Sequence, residues 1–219
     1  FLHQLVSSQL DMDRLDYLRR DSFFTGVTEG AIGSERIIKM LRVVDDELVV
    51  DRKGIYSIEK FLIARRLMYW QVYLHKTVLS AEQMLIKTLE RARELGEAGE
   101  QLLASPVLAE ILFKGKMNLQ KMKSTRSFLD SFAKLDDSDV FSALKSWADH
   151  KDPVLAGLAY GMLNRRLPAI RIQDEPFDQE DVLALRKKVA KKEGLSFEDS
   201  RYLVFTDTIS NSAYNNEDD

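Results

Sequence analysis

The chain has 219 residues, long enough to bury a real core as one large domain or two small ones. Hydrophobic residues make up 45% and charged residues 31%, which excludes a disordered chain, and zero Cys excludes disulfides and thiolate metal sites. With 32 basic and 35 acidic side chains the net charge is −3, so no bulk field favours nucleic acid, and no apolar run approaches the ~20 residues of a membrane span. The absence of Cys fits a cytoplasmic location.

The stretch Ser7 to Asp21 is dense in charge, lacks Gly and Pro, and reads as a helix capped by Ser7 or Ser8. Asp13, Arg14, Tyr17 and Asp21 fall within about 100° of arc on that helix. Spacing alone favours a solvated charged face with ion pairs at i,i+3 and i,i+4. Gly26 ends the helix, and Ser34 is placed to cap a short one from Glu35 to Leu41. Arg42 to Val44, the acidic turn Asp45-Asp46-Glu47, and Leu48 to Val50 read as a β-hairpin. The turn lacks the ligand spacing of a calcium loop.

Ser57 is the expected cap of a long helix, since no Gly or Pro interrupts Ile58 to Leu95. One helix, or two collinear ones, should cover that run. Arg65, Tyr69, Tyr73 and Lys76 recur along it at i, i+4, i+8 and i+11, within about 80° of arc. A Tyr stripe of this kind is commonly core packing with its hydroxyls at the rim. The segment Lys87 to Glu94 reads as solvated surface.

Short helices follow, started at Ser105-Pro106, at Asp136-Asp137-Ser138 and at Asp152-Pro153. His150 reads as an exposed loop residue, and Trp70 and Trp147 as packing anchors. Beyond Pro168, Ala169 to Ile172 and Tyr202 to Phe205 read as strands flanking a helix from Asp178 to Lys192, with a polar, mobile tail at 211–219. The fold expected is mainly α: a helical bundle portion with a β-hairpin over 1–95, a helical region over 96–168, and a small α+β appendage over 169–219.

The sequence SSQLDMDRLDYLRRDSFFTGV, from Ser7 to Val27, resembles the last metal-binding segment of HD-domain phosphohydrolases, in the deoxynucleoside triphosphate triphosphohydrolase branch. A second block, Ala64 to Lys76, resembles the long helix that follows that segment in the family. The resemblance implies a metal-dependent phosphohydrolase that releases a deoxynucleoside and inorganic triphosphate. Asp13 would be one ligand of a divalent ion (Mg, Mn, Fe, Zn or Ni), and Arg14 and Arg65 would contact phosphate. Tyr17 and Asp21 would meet the sugar, and Tyr69 and Tyr73 would supply ring contacts. Leu74 departs from the mammalian-type pattern, which has Gln there. Arg36, Arg52, Lys53 and Lys76 match basic positions that hold effector nucleotides between subunits, so a homo-oligomer is the implied assembly.

The family's metal site also uses a His and a His-Asp pair. The chain has three His (His3, His75 and His150), and none is followed by Asp. The expectation is therefore a C-terminal part of a longer enzyme, with the N-terminal HD segment elsewhere, and an isolated chain that is inactive. The catalytic acid is not identifiable from these residues. Membrane and nucleic acid are not expected partners. Two other readings are an HD phosphohydrolase with a different phosphorylated substrate, and a non-catalytic helical oligomerisation module.

Overall fold

The computed structural model describes residues 1–113 and 126–209. It is mostly helical with one two-stranded hairpin. Two compact units divide within a single helix: residues 1–79 with the described end of the chain from Thr208, and residues 80–207.

The first unit opens with α1 (Leu2–Val6) and α2 (Met12–Thr25). Asp11, not Ser7 or Ser8, caps α2: its carboxylate accepts from the Arg14 N–H at 2.8 Å, so the helix starts later than its charge pattern suggests. Gly26 ends α2 as expected, in the left-handed conformation at φ 73°. Next comes α3 (Ser34–Met40), whose N-cap is Gly33. Ser34 is the first helical residue, and its hydroxyl faces the Leu15 carbonyl at 3.5 Å instead of capping.

The hairpin forms from β1 (Leu41–Val44) and β2 (Glu47–Val50), antiparallel, with Leu41 opposite Val50 and Val44 opposite Glu47. Asp45 and Asp46 turn it at φ 50° and 65°, the left-handed pair that a two-residue loop requires to match strand twist. Then α4 (Ile55–Met68) starts directly after Gly54, two residues before the expected cap Ser57. A Cβ at Gly54 would sit 2.9 Å from Val50 Cγ1 and 3.0 Å from Met40 Cβ, so only glycine lets α4 begin against the hairpin.

The long run expected from Ile58 to Leu95 is broken. After Met68 the backbone makes a π-turn over Tyr69–Tyr73, then leaves the helix at Leu74. His75 restarts it: its Nδ1 accepts from the Thr77 N–H at 3.2 Å and its carbonyl from the Leu79 N–H at 3.1 Å, opening α5 (Lys76–Glu97). Leu15 and Leu18 of α2, Ile37 of α3, and Phe61 and Met68 of α4 make the core of this unit. Trp70 is 58% exposed, so it is not the packing anchor expected.

The second unit packs α5 with α6 (Pro106–Phe113), α7 (Arg126–Phe132), α8 (Asp137–Trp147), α9 (Pro153–Leu163) and α10 (Gln179–Glu193). Ser105, Asp136 and Asp152 each accept a backbone N–H at a helix start, as their sequence positions suggest. Trp147 is the buried anchor expected, and its indole N–H donates to the Leu103 carbonyl at 2.9 Å. His150 is half-buried rather than exposed, accepting from the Asp152 N–H at 3.1 Å.

Two further expectations fail in this unit. The segment Lys87 to Glu94 is not solvated surface: Thr88 and Ala92 are fully buried, and Arg91 is the centre of a charge network. The strands expected in the C-terminal appendage are absent among the described residues. Residues 169–172 lack a strand partner, without which extended β-branched residues do not make a sheet. Tyr202 ends a 3₁₀ turn (Asp199–Tyr202), where its hydroxyl donates to Glu94. The polar tail at 211–219 lies outside the described residues.

Candidate functional site

The packing of α2 on α4 brings two sequence-predicted stripes of the first unit to the same helix pair. On α2, Arg14 folds back over its own helix start, donating to the Ser8 carbonyl and the buried Asp11 carboxylate. On α4, Arg65 is only 3% exposed, and its Nη1 donates to Gln9 Oε1 at 2.8 Å. Its guanidinium carbon stands 5.9 Å from the centre of the Tyr69 ring, within cation–π range.

In the π-turn after α4 the Leu74 N–H donates to the Tyr69 carbonyl at 2.8 Å, five residues back instead of four. Tyr69 and Tyr73 lie edge to face with centroids 5.3 Å apart, and Tyr73 meets Tyr17 of α2 in the same way at 5.8 Å. The Tyr73 hydroxyl then donates to Asp21 Oδ2 at 2.7 Å. Arg65, Tyr69, Tyr73, Tyr17 and Asp21 are thereby joined as one continuous row.

The row has a charge gradient. Arg14 precedes Asp21 by seven positions on the same helix, which is about 10 Å along the axis. Arg14, paired with the buried Asp11 carboxylate, and Arg65 therefore lie toward one end and Asp21 toward the other, with aromatic edges between. Burial pushes the Tyr17 hydroxyl above its ordinary pKa. Burial, and then the hydrogen bond to Asp21, push Tyr73 well above it. Tyr73 thus keeps its proton across the physiological range and remains a donor to Asp21.

Asp13 stands apart from this row, exposed in the first turn of α2. Among the described residues no group of three or more His, Cys, Asp or Glu side chains could hold a metal ion. A single exposed carboxylate does not make a metal site.

The remaining basic positions gather only in part. Arg36 of α3 donates to the Lys53 carbonyl at 3.5 Å, linking α3 to the turn that carries Arg52 and Lys53. Arg36 also lines a shallow surface cavity of about 570 Å³ with Arg19 and Lys39. Arg52, Lys53 and Lys76 are exposed and do not line that cavity. Gln9 and Asp11 escaped the reading of the sequence. The available signal was the Asp-x-x-Arg spacing of Asp11 and Arg14, an N-cap with a cation one turn on.

Residues 32–106 match the family described as HD associated region. The crystal structure of a phosphohydrolase from Bacteroides thetaiotaomicron VPI-5482 superposes with a TM-score of 0.87 at 52% identity, over 92% of this chain and 50% of that one. The uncharacterized protein YwfO of Bacillus subtilis (strain 168) is 37% identical over 163 residues, 74% of this chain and 35% of its own length. A protein of Dictyostelium discoideum named deoxynucleoside triphosphate triphosphohydrolase SAMHD1 homolog is 28% identical over 105 residues, 47% of this chain and 20% of its own. The chain therefore carries a segment that matches the HD associated region and is similar over most of its length to half of a solved phosphohydrolase. It spans about a third of the length of YwfO and half that of the solved phosphohydrolase. The HD associated region contains Arg65, Tyr69 and Tyr73, while Asp13, Arg14, Tyr17 and Asp21 precede it.

Proposed function

We propose that this chain forms the nucleotide-contacting part of an HD-type, metal-dependent phosphohydrolase that splits deoxynucleoside triphosphates into deoxynucleoside and inorganic triphosphate. The observation that supports this most is the joined row from Arg65 to Asp21, cationic at one end and hydrogen-bonding at the other. Arg14 and Arg65 bind the phosphate oxygens, where guanidinium groups give charge-assisted, often bidentate hydrogen bonds. They also neutralise charge that grows on phosphorus oxygens during cleavage. Asp21, kept in place by the Tyr73 hydroxyl, accepts from a sugar hydroxyl. The edges and faces of Tyr17, Tyr69 and Tyr73 exclude water from the sugar and set its distance from the phosphates.

The described residues do not complete a metal site, so no step is assigned to the metal through this chain. Asp13 would contribute one ligand of such a site. The test is product analysis on the full-length protein supplied with dATP and a divalent metal. Inorganic triphosphate appearing in equal amount to deoxyadenosine supports the reading. Orthophosphate or pyrophosphate as the product assigns the protein to a different phosphohydrolase activity.

A further inference from the structure

Both guanidiniums of the site are held by one short segment, residues 8–11, in the approach to α2. The Ser8 carbonyl and the Asp11 carboxylate take Arg14, and the Gln9 side chain takes Arg65 at 2.8 Å. Gln9 lies 56 residues before Arg65, so the contact ties α4 to the start of α2 across the unit. Asp11 is 3% exposed and doubles as the cap of α2, so the segment that carries Gln9 is itself fixed to the helix.

From this geometry we infer that Gln9 is a positioning residue: it aims the Arg65 guanidinium at the phosphate-binding end of the site. Arg has several rotatable bonds, and a side chain that is not held loses binding energy to ordering when an anion arrives. A neutral amide suits this role. Gln9 Oε1 accepts one N–H of the fork without itself adding a negative charge beside Arg65, whereas a carboxylate in its place would add one. Arg14 is fixed by Asp11 in the opposite manner, through an ion pair.

The inference rests on the reading of Arg65 as a phosphate contact, and a double-mutant cycle separates the two. Calorimetric titration of the full-length protein with inorganic triphosphate gives the readout, for wild type, Gln9→Met, Arg65→Ala and the double variant, with thermal melts alongside. Gln9→Met keeps the length of the side chain and removes the acceptor. It should weaken triphosphate binding about tenfold in the wild-type background, and change it by less than about twofold once Arg65 is Ala. Gln9→Glu should weaken binding at least as much, although it restores an acceptor, because it pairs the charge. Equal losses in both backgrounds, no loss for Gln9→Met, or full rescue by Gln9→Glu would overturn the positioning role and leave Arg65 as a phosphate contact. An Arg65→Ala variant that binds triphosphate like wild type would overturn the phosphate reading itself and this inference with it.

Discussion

Arg91 gives a sharp prediction about what holds the second unit together. Its Nε and Nη2 donate to the two oxygens of Asp152 at 3.1 and 2.6 Å, a bidentate pair, and its Nη1 reaches Glu94 at 3.2 Å and Asp199 at 3.1 Å. The side chains of Arg91 and Asp152 are each 12% exposed. Removing one partner of a fully buried pair costs about 3–5 kcal/mol, so for this slightly wetter pair Arg91→Met should cost about 2–4 kcal/mol. Asp152→Asn should cost a similar amount, because Asn still caps α9 at the Leu155 N–H and only the ion pair is lost. The two losses should be far from additive in the double variant.

Urea unfolding followed by Trp147 fluorescence measures this in the second unit, in a Trp70→Phe background that removes the exposed indole. With m of about 2 kcal/mol/M, the midpoint should fall by about 1–2 M. The pH dependence follows from Asp152. Burial alone would raise its pKa, but the hydrogen bonds from Arg91 and the Leu155 N–H and the Arg91 charge outweigh it, and the net shift is downward. A carboxyl depressed in the folded state adds stability above its unfolded pKa, about 3.9, and loses it as pH falls through the folded value. The gap between wild type and Arg91→Met should therefore be constant from neutral pH to about 5 and close below about 4. A midpoint change under about 0.3 M at neutral pH, or a gap that widens in acid, would refute the network as a stabilising centre.

Tyr73→Phe keeps the ring contacts with Tyr17 and Tyr69 but removes the 2.7 Å bond to Asp21. Because Asp21 is half-buried and water can replace the donor, stability should fall by only about 1 kcal/mol in a thermal melt. In the full-length protein the KM for a deoxynucleoside triphosphate should rise while affinity for inorganic triphosphate stays unchanged, and equal changes in both would detach Tyr73 from the sugar. Gly30→Ala would place a Cβ 2.5 Å from Met68 Sδ and 2.9 Å from Ser22 Cβ in the core of the first unit. It should cost about 1–3 kcal/mol by urea unfolding, and a neutral result would mean that Met68 moves aside freely.

Local signals carried much of the fold. The Val pairs 43–44 and 49–50 on either side of the acidic turn Asp45-Asp46 gave away the hairpin, and Gly26, Asp136 and Asp152 marked helix ends where they stand. The errors came where local signals competed or a distant contact decided. Ser8 and Asp11 are both good capping residues, and Asp11 takes the role while its carboxylate also pairs with Arg14. Nothing in the run around Leu74 breaks a helix by propensity, yet the ring contacts of Tyr69 and Tyr73 accompany a π-turn there. Arg91 looks solvated because its close neighbours in sequence are charged, while Asp152 is 61 residues away. The candidate residues on α2, α4 and the π-turn could be read as helical stripes, but Gln9 could not, since a lone Gln before a helix carries no pattern.

The central claim is that Arg65 and Asp13 serve triphosphate release from a deoxynucleotide. The direct measurement is steady-state release of triphosphate from dATP by the full-length protein, for wild type, Arg65→Ala and Asp13→Ala, with circular dichroism to confirm folding. Losing a charge-assisted phosphate contact of about 1.5–3 kcal/mol predicts a fall in kcat/KM of about 10- to 150-fold for Arg65→Ala. Asp13→Ala should abolish turnover and raise the metal concentration needed for any residual activity. Folded variants that release triphosphate at the wild-type rate would contradict the account.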